Sequence, residues 1–126
     1  MLNKEDAEAI AWNWIDAWNR HDLESIMSHY AEDVEFTSPF IIKLTGNSTG
    51  TLKGREMLRA YFKKALDTYS DLRFEFLKVF GGVNSMVIHY RSIKNLLASE
   101  TIVLNDNGQI VKTFAHYNPV PLPTPE

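Results

Sequence analysis

The amino-terminal part of the chain carries apolar side chains at helical spacing. Those that share one face, three or four positions apart, are Ile10, Trp14, Ala17 and Trp18. The charged and amide side chains of the same stretch lie largely on the opposite face, which is typical of an amphipathic helix that packs on a core. We therefore predict a first helix from about Lys4 to Asn19.

A polar break and a second, shorter helix follow. The break covers residues 19–22, and Asp22 is a suitable N-cap because its carboxylate can accept hydrogen bonds from the free N–H groups of a first turn. The apolar positions of this predicted helix are Leu23, Ile26, Met27 and Tyr30.

Apolar and polar side chains then alternate with a period of two, which indicates a strand. Val34, Phe36 and Ser38 share one side of it, and Pro39 ends it because proline cannot donate to a strand ladder. Ser38 is therefore expected to point with the apolar side chains. Residues 45–50 have the composition of an exposed loop or hairpin turn.

A third helix is predicted to begin at Gly54-Arg55-Glu56. Its buried stripe consists of Met57, Leu58, Tyr61, Phe62, Ala65 and Leu66. Beyond this helix the pattern is one of strands and turns. The predicted strands are Leu72–Phe80, Ser85–Ser92, Ser99–Leu104 and Gln109–Tyr117, with turns at Gly81-Gly82 and Asn105–Gly108.

Helices first and strands afterwards predict an α+β fold, in which three N-terminal helices pack on a curved, mixed or antiparallel β-sheet. The length of 126 residues fits one domain, which we expect to span residues 1–118. Residues 119–126 carry proline at alternate positions and are predicted to form an extended, Pro-rich C-terminal tail.

Composition and charge indicate which classes of partner to expect. The 13 basic and 16 acidic residues give a net charge of −3 without a clustered positive face, so nucleic acid is not expected as a partner. No apolar run approaches the roughly 20 residues of a membrane helix, so no membrane contact is expected either. The absence of cysteine favours a cytoplasmic location. The histidines lack the spacing of metal ligands, and neither a metal nor another cofactor is expected.

Four stretches of the sequence match motifs of a known fold family. They are Trp18–Leu23, Tyr30–Phe36, Leu52–Glu56 and the turn Asn107–Val111. Together they resemble the NTF2-like superfamily, and within it the SnoaL-like and ketosteroid isomerase-like proteins. The resemblance implies a cone-shaped α+β fold with a hydrophobic pocket between the helices and the sheet.

The resemblance also implies which positions correspond to the functional residues of ketosteroid isomerase. The tyrosine that helps to bind the oxyanion falls on Trp14, the aspartate base on Ser38, and the second, protonated aspartate approximately on Glu100. A serine without an attached base cannot abstract a carbon-bound proton near pH 7, and an indole cannot act as an acid or a base. The ketosteroid isomerase mechanism is therefore not expected, and whether the protein is an enzyme stays open.

Glu100 is the candidate catalytic residue. It shares a strand face with Ile102 and Leu104, where a carboxylate is costly unless it is paired or protonated. The alternative is a register shifted by one residue, which would leave Glu100 in solvent. The candidate ligand-binding residues, which the fold would bring to the pocket from several elements, are Trp14, Tyr30, Phe36, Ser38, Tyr61, Ala115 and Tyr117.

The facing of the strand at residues 85–92 is open at this point. Either Ile88 and Tyr90 face the pocket, with His89 and Arg91 on the outer sheet face, or the two pairs are exchanged. In the second case Arg91 could pair with Glu100 across the strands.

Two functions follow from these observations. In the first, the protein binds a small apolar molecule in its cone and catalyses proton transfer or water addition, as an isomerase, cyclase or hydrolase. In the second, it is a non-catalytic homodimeric interaction or ligand-carrier module whose cavity is filled by side chains. A homodimer through the outer sheet face suits both, because an exposed apolar sheet face seldom stays uncovered.

Overall fold

Helices dominate the first half of the chain and strands the second half, which confirms the predicted α+β class. The computed structural model describes residues 2–121. That range contains the helices α1 (Lys4–Asn19), α2 (Leu23–Met27), α3 (Pro39–Thr45) and α4 (Arg55–Thr68). Its strands are β1 (Tyr30–Thr37), β2 (Thr51–Lys53), β3 (Glu75–Gly81), β4 (Ser85–Arg91), β5 (Leu97–Leu104) and β6 (Ile110–Asn118), and a 3₁₀ turn spans Ile93–Asn95.

The first two helices begin and end close to their predicted positions. The Asn3 side chain caps α1 by accepting a hydrogen bond from the Asp6 N–H at 2.8 Å. Asp22 caps α2 as predicted, since its carboxylate accepts from the Ser25 N–H at 3.2 Å. Tyr30, which was assigned to the second helix, instead begins β1, where it pairs with Ile110 of β6. Pairing in the sheet therefore outweighs its helical spacing.

One helix, α3, was not predicted. It begins directly after β1 and follows Ser38, whose hydroxyl accepts a hydrogen bond from the Phe40 N–H at 3.2 Å. Pro39 occupies the first turn, where its fixed φ suits a helix and its missing N–H removes no bond. The helix ends at Gly46, whose φ of 75° is a left-handed conformation that glycine adopts without a steric penalty.

The six strands of the described range form one mixed sheet in the order β2-β1-β6-β5-β4-β3. β1 runs parallel to β6, and the other neighbouring strands are antiparallel. The register shifts between Phe76 and Lys78 in β3 and between Val103 and Leu104 in β5. Such irregularities bend and twist a sheet, and the helices cover its inner face.

The burial of the β4 side chains shows which of them face the helices. Ile88 and Tyr90 are fully buried under the helices, whereas His89 and Arg91 are only partly buried on the outer face. The Arg91 guanidinium approaches the Asn95 carbonyl oxygen at 3.4 Å and does not reach Glu100. The exchanged arrangement, with an Arg91–Glu100 pair, is therefore wrong.

The chain leaves the sheet at the end of β6. Residues 119–121 follow that strand without regular structure, and Val120 is exposed. The remainder of the predicted Pro-rich tail, residues 122–126, lies outside the described residues.

Candidate functional site

A cavity of about 50 Å³ lies between the helices and the inner face of the sheet. Its wall combines aromatic rings with a few polar groups. The side chains that line it are Trp14, Trp18, Phe36, Ser38, Phe40, Leu44, Tyr61, Phe62, Ala65, Tyr69, Leu72, Phe74, Tyr90, Ser92, Ile93, Glu100 and Tyr117. A water molecule needs about 10–15 Å³ on this measure, so the space suits a few waters or one small group of a ligand.

Glu100 is the only charged side chain among these lining residues. It lies in the middle of β5, opposite Ile88 of β4 and Ala115 of β6, and is 2% exposed. The Tyr90 hydroxyl donates a hydrogen bond to Glu100 Oε1 at 2.8 Å. The second oxygen, Oε2, has no hydrogen-bond partner among the described residues. Glu100 therefore presents one fixed and one uncommitted oxygen.

Burial raises the pKa of Glu100 to about 7, because a carboxylate is poorly solvated in an apolar wall. The hydrogen bond from Tyr90 acts in the opposite direction, since it stabilises the ionised form. Both the protonated and the ionised form of this carboxyl group are therefore populated near neutral pH. Such a group can give up or accept a proton at the pH of most cells.

Several of the residues that line the cavity beside Glu100 carry hydroxyl groups. Tyr90 of β4 and Tyr117 of β6 lie in the same row of the sheet, on either side of Ala98. Ser38, Tyr61 and Tyr117 line the same cavity, and the Ser38 hydroxyl accepts a hydrogen bond from the Phe40 N–H. Burial raises the pKa of all three tyrosines, which therefore remain protonated and able to donate hydrogen bonds.

Two tryptophans of α1 form the opposite wall. The Trp14 indole N–H donates to the Tyr30 hydroxyl at 3.0 Å, and its ring stacks on Phe74 with a centroid separation of 5.7 Å. The Trp18 indole N–H is buried and, within residues 2–121, has no hydrogen-bond acceptor. Trp14 is thus committed to the core, whereas Trp18 offers a free donor in the cavity wall.

The cavity reaches the surface where α3, α4 and the 3₁₀ turn approach one another. Leu44, Tyr69 and Ile93 are partly exposed at this point and form what we call the mouth of the cavity. The Lys94 ammonium group lies 5.9 Å from the centre of the Tyr69 ring. A ligand would therefore enter between apolar side chains.

Most of the residues proposed from the sequence meet in this cavity. Those that line it are Trp14, Phe36, Ser38, Tyr61, Glu100 and Tyr117. Tyr30 and Ala115 are buried nearby but do not line it. The Tyr30 hydroxyl accepts a hydrogen bond from the Trp14 indole N–H.

Sequence reasoning missed the role of Tyr90, the hydrogen-bond partner of Glu100. A signal was present in the strand that carries it, because Met86, Ile88 and Tyr90 form an uninterrupted apolar set. The alternate positions include His89 and Arg91. The apolar set belongs inside on the ordinary rule for strands.

Two negative findings complete the description. Within residues 2–121, no cluster of three or more histidine, aspartate or glutamate side chains could hold a metal ion. No helix in the described part of the chain has the length and apolar character needed to cross a membrane.

Comparison with known proteins identifies the family. The model of the SnoaL-like domain matches residues 12–115. One similar crystal structure is that of a SnoaL-like protein of unknown function from Burkholderia thailandensis, which is 42% identical in sequence. The match covers 91% of this chain and 96% of the Burkholderia chain, with a TM-score of 0.88. The protein belongs to the SnoaL-like family.

More distant structures share the fold. A candidate isomerase of the SnoaL-like family from Agrobacterium tumefaciens is 19% identical, with a TM-score of 0.71 and coverage of 88% of this chain and 96% of its own. An NTF2-like protein of unknown function from Cytophaga hutchinsonii is 18% identical, with a TM-score of 0.67 and coverage of 94% and 96%. A search of curated proteins returned no significant match.

Proposed function

We propose that the protein binds a small, largely apolar molecule in its cavity and places one oxygen-bearing group of that molecule at Glu100. The observation that carries this proposal is a fully buried carboxyl group with one uncommitted oxygen, in a wall that is otherwise uncharged and largely aromatic. Apolar pockets with a few convergent polar groups and a perturbed pKa are typical of ligand sites.

Proton transfer or water addition is the chemistry that suits this site. Glu100 acts as the acid or the base, because its pKa of about 7 keeps both forms available. Suitable substrates are small carbonyl compounds, epoxides or polyketide-like molecules. Ser38 does not serve as a base, since its neighbours are phenols and the Phe40 amide rather than a carboxylate or an imidazole.

Glu100→Gln should separate binding from chemistry. The amide has the same shape and still accepts the hydrogen bond from Tyr90, but it cannot transfer a proton. With a panel of small cyclic ketones and epoxides, we expect a rise in the melting temperature for both wild type and variant, and turnover only for wild type. Glu56→Gln, on the exposed side of α4, is the matched control. Equal turnover of wild type and Glu100→Gln would remove Glu100 from the mechanism.

A second candidate function is a non-catalytic interaction or carrier module. The observation that favours it is the small size of the cavity, since ligand pockets usually enclose about 300–1,000 Å³. If no compound of the panel raises the melting temperature, this second function is the better account. The cytoplasm is the compartment we propose for either function, because the chain has no cysteine to form disulfides.

We further propose that the protein is a homodimer through the outer face of the sheet. Phe80 and Phe114 are 49% and 36% exposed on this face, in one cross-strand row with Val87 and Thr101. Leu77 of β3 is also exposed, at 39%. Covering these side chains with a second copy would remove apolar area from water.

Charges placed on the outer face should break this dimer. The double variant Phe80→Glu/Phe114→Glu should weaken self-association by at least about 100-fold, because carboxylates would be buried without partners. Sedimentation equilibrium measures the change. Met57→Glu, which adds the same charge at a 57% exposed position on α4, should leave the association unchanged. A monomeric wild type would disprove the interface.

A further inference from the structure

Two residues of the cavity wall carry an enclosed polar atom that has no hydrogen-bond partner. Within residues 2–121, the buried side-chain nitrogen and oxygen atoms without a partner belong to Trp18, Glu100 and Thr113. Trp18 and Glu100 line the cavity, whereas Thr113 does not. Buried polar groups are nearly always hydrogen-bonded, because leaving one unpaired costs free energy. A molecule bound in the cavity can supply the missing partner to both Trp18 and Glu100.

Trp18 is fixed in the helix layer by the rings around it. It is 5% exposed, and its ring packs on Phe62 and Phe74 with centroid separations of 4.8 and 5.5 Å. Trp14, one turn earlier in α1, donates its indole N–H to Tyr30, but Trp18 has no such acceptor among the described residues. An indole N–H can only donate a hydrogen bond. The group that pairs with Trp18 must therefore be an acceptor.

Glu100 lies in the sheet layer of the same cavity. The Tyr90 hydroxyl donates to Oε1 at 2.8 Å, which leaves Oε2 for another partner. The ring of Phe74 packs on Tyr90 with a centroid separation of 4.7 Å and also packs on Trp18. One ring therefore separates Trp18 from the hydrogen-bond partner of Glu100. A small ligand between the helices and the sheet can contact both residues, because they line one cavity of about 50 Å³.

The two unpaired atoms define the polar groups that a ligand needs. Trp18 requires an oxygen atom that accepts, such as that of a carbonyl, ether, epoxide or hydroxyl group. The Glu100 carboxyl donates to an oxygen atom when it is protonated and accepts from a hydroxyl group when it is ionised. A ligand with a single oxygen function pairs with one of the two residues and leaves the other without a partner. Sites built around hydrogen bonds discriminate strongly against such ligands.

We propose that the cavity selects small molecules with two oxygen functions, one bound by the Trp18 indole N–H and the other by Glu100 Oε2. The inference rests on the proposed function and narrows its ligand class, since a ketone or an epoxide with a second oxygen atom is the preferred form. Trp18 determines specificity in this site. It takes no part in proton transfer, because an indole cannot act as an acid or a base.

Two pairs of ligands that differ by one ring atom test this selection. Dioxane is oxane with a second ring oxygen in place of the opposite CH2 group. Tetrahydropyranone is cyclohexanone with a ring oxygen in place of the CH2 group opposite the carbonyl. Titration calorimetry at about pH 6, where Glu100 is mostly protonated, measures the affinities. In at least one pair, we expect wild type to bind the ligand with two oxygen atoms at least about tenfold more tightly than its partner.

The indole N–H signals report directly on Trp18. The chain has three tryptophans, so the nitrogen-15 NMR spectrum contains three such signals, and Trp18→Phe identifies one of them by its loss. When the preferred ligand is added, the Trp18 proton signal should move downfield, as a proton does when it enters a hydrogen bond. The signal of Trp12, which is 52% exposed, is the internal control and should stay in place.

Variants of the two tryptophans complete the test. Trp18→Phe should lose the preference for the second oxygen atom, and Trp12→Phe, the matched control on the surface, should keep it. The ligand comparison needs only wild type, so it decides the question even if Trp18→Phe does not fold.

The results also separate this inference from the proposed function. Equal affinities within both ligand pairs, or a Trp18 signal that does not move when a ligand binds, would overturn the role of Trp18. Ligand binding would in that case still support the proposed function. If none of the four compounds binds, both the role of Trp18 and the proposed ligand site are wrong.

Discussion

Between about pH 4.5 and pH 8, the free energy of unfolding of the wild-type protein should fall by about 3 kcal/mol relative to that of Glu100→Gln. The cause is the pKa of Glu100, which burial raises from 4.5 to about 7. In this range the unfolded chain gives up its proton while the folded protein retains it. Rising pH therefore favours the unfolded state, until both states are ionised above about pH 7.

Urea denaturation at a series of pH values measures this difference. Burial lowers the pKa of His29, so that residue acts in the opposite direction and stabilises the fold as the pH rises. Because His29 is present in both proteins, its contribution cancels when the two curves are subtracted. Parallel curves for wild type and Glu100→Gln would mean that folding does not raise the pKa of Glu100.

Filling the cavity should abolish ligand binding altogether. Ala65 of α4 lines the cavity and is 8% exposed. Ala65→Leu would place three additional carbon atoms in a space of about 50 Å³. We expect the ligand-dependent rise in melting temperature, and any turnover, to disappear. The free energy of unfolding should change by less than about 2 kcal/mol, since filled space and tight packing oppose each other.

Ala60→Leu is the matched control for this experiment. Ala60 lies on the exposed side of the same helix, so the substitution makes the same change away from the cavity. Calorimetric titration with a compound that binds wild type distinguishes the two variants. If Ala65→Leu binds as well as Ala60→Leu, the ligand occupies another part of the protein.

Long elements with a strong period could be predicted from the sequence. The first helix was expected at Lys4–Asn19 and occurs there, because its apolar stripe and its polar ends agree. The burial of Ser38 and the inward facing of Glu100 followed from simple alternation along their strands. These features depend on local pattern, which tertiary contacts did not override.

Short elements were missed for an equally physical reason. Phe40-Ile41-Ile42 is an apolar run that fits a helix or a strand, and only its start at Ser38-Pro39 favours the helix that forms. β2 has three residues and exists through its pairing with β1. Tyr30 fits a helical stripe, but its backbone is held by β6, 80 positions later in the chain.

The details of the site also depend on contacts that no local pattern records. The hydrogen bond between Tyr90 and Glu100 requires the register of β4 against β5. The volume of the cavity depends on how the rings of Trp14, Phe62 and Phe74 pack. Helical spacing predicted the burial of Trp14 and Phe62 but not the space that the rings leave. The sequence therefore indicated the acid and its wall, while the partner and the size came from the fold.

The central claim is that one carboxyl group, buried in an uncharged cavity, changes its protonation state near neutral pH. Carbon-13 NMR of protein labelled at the glutamate carboxyl carbons measures this directly, with the Glu100 signal assigned by its absence in Glu100→Gln. The account predicts a midpoint close to pH 7 for Glu100. A midpoint near 4.5, the ordinary value for a glutamate in water, would contradict it.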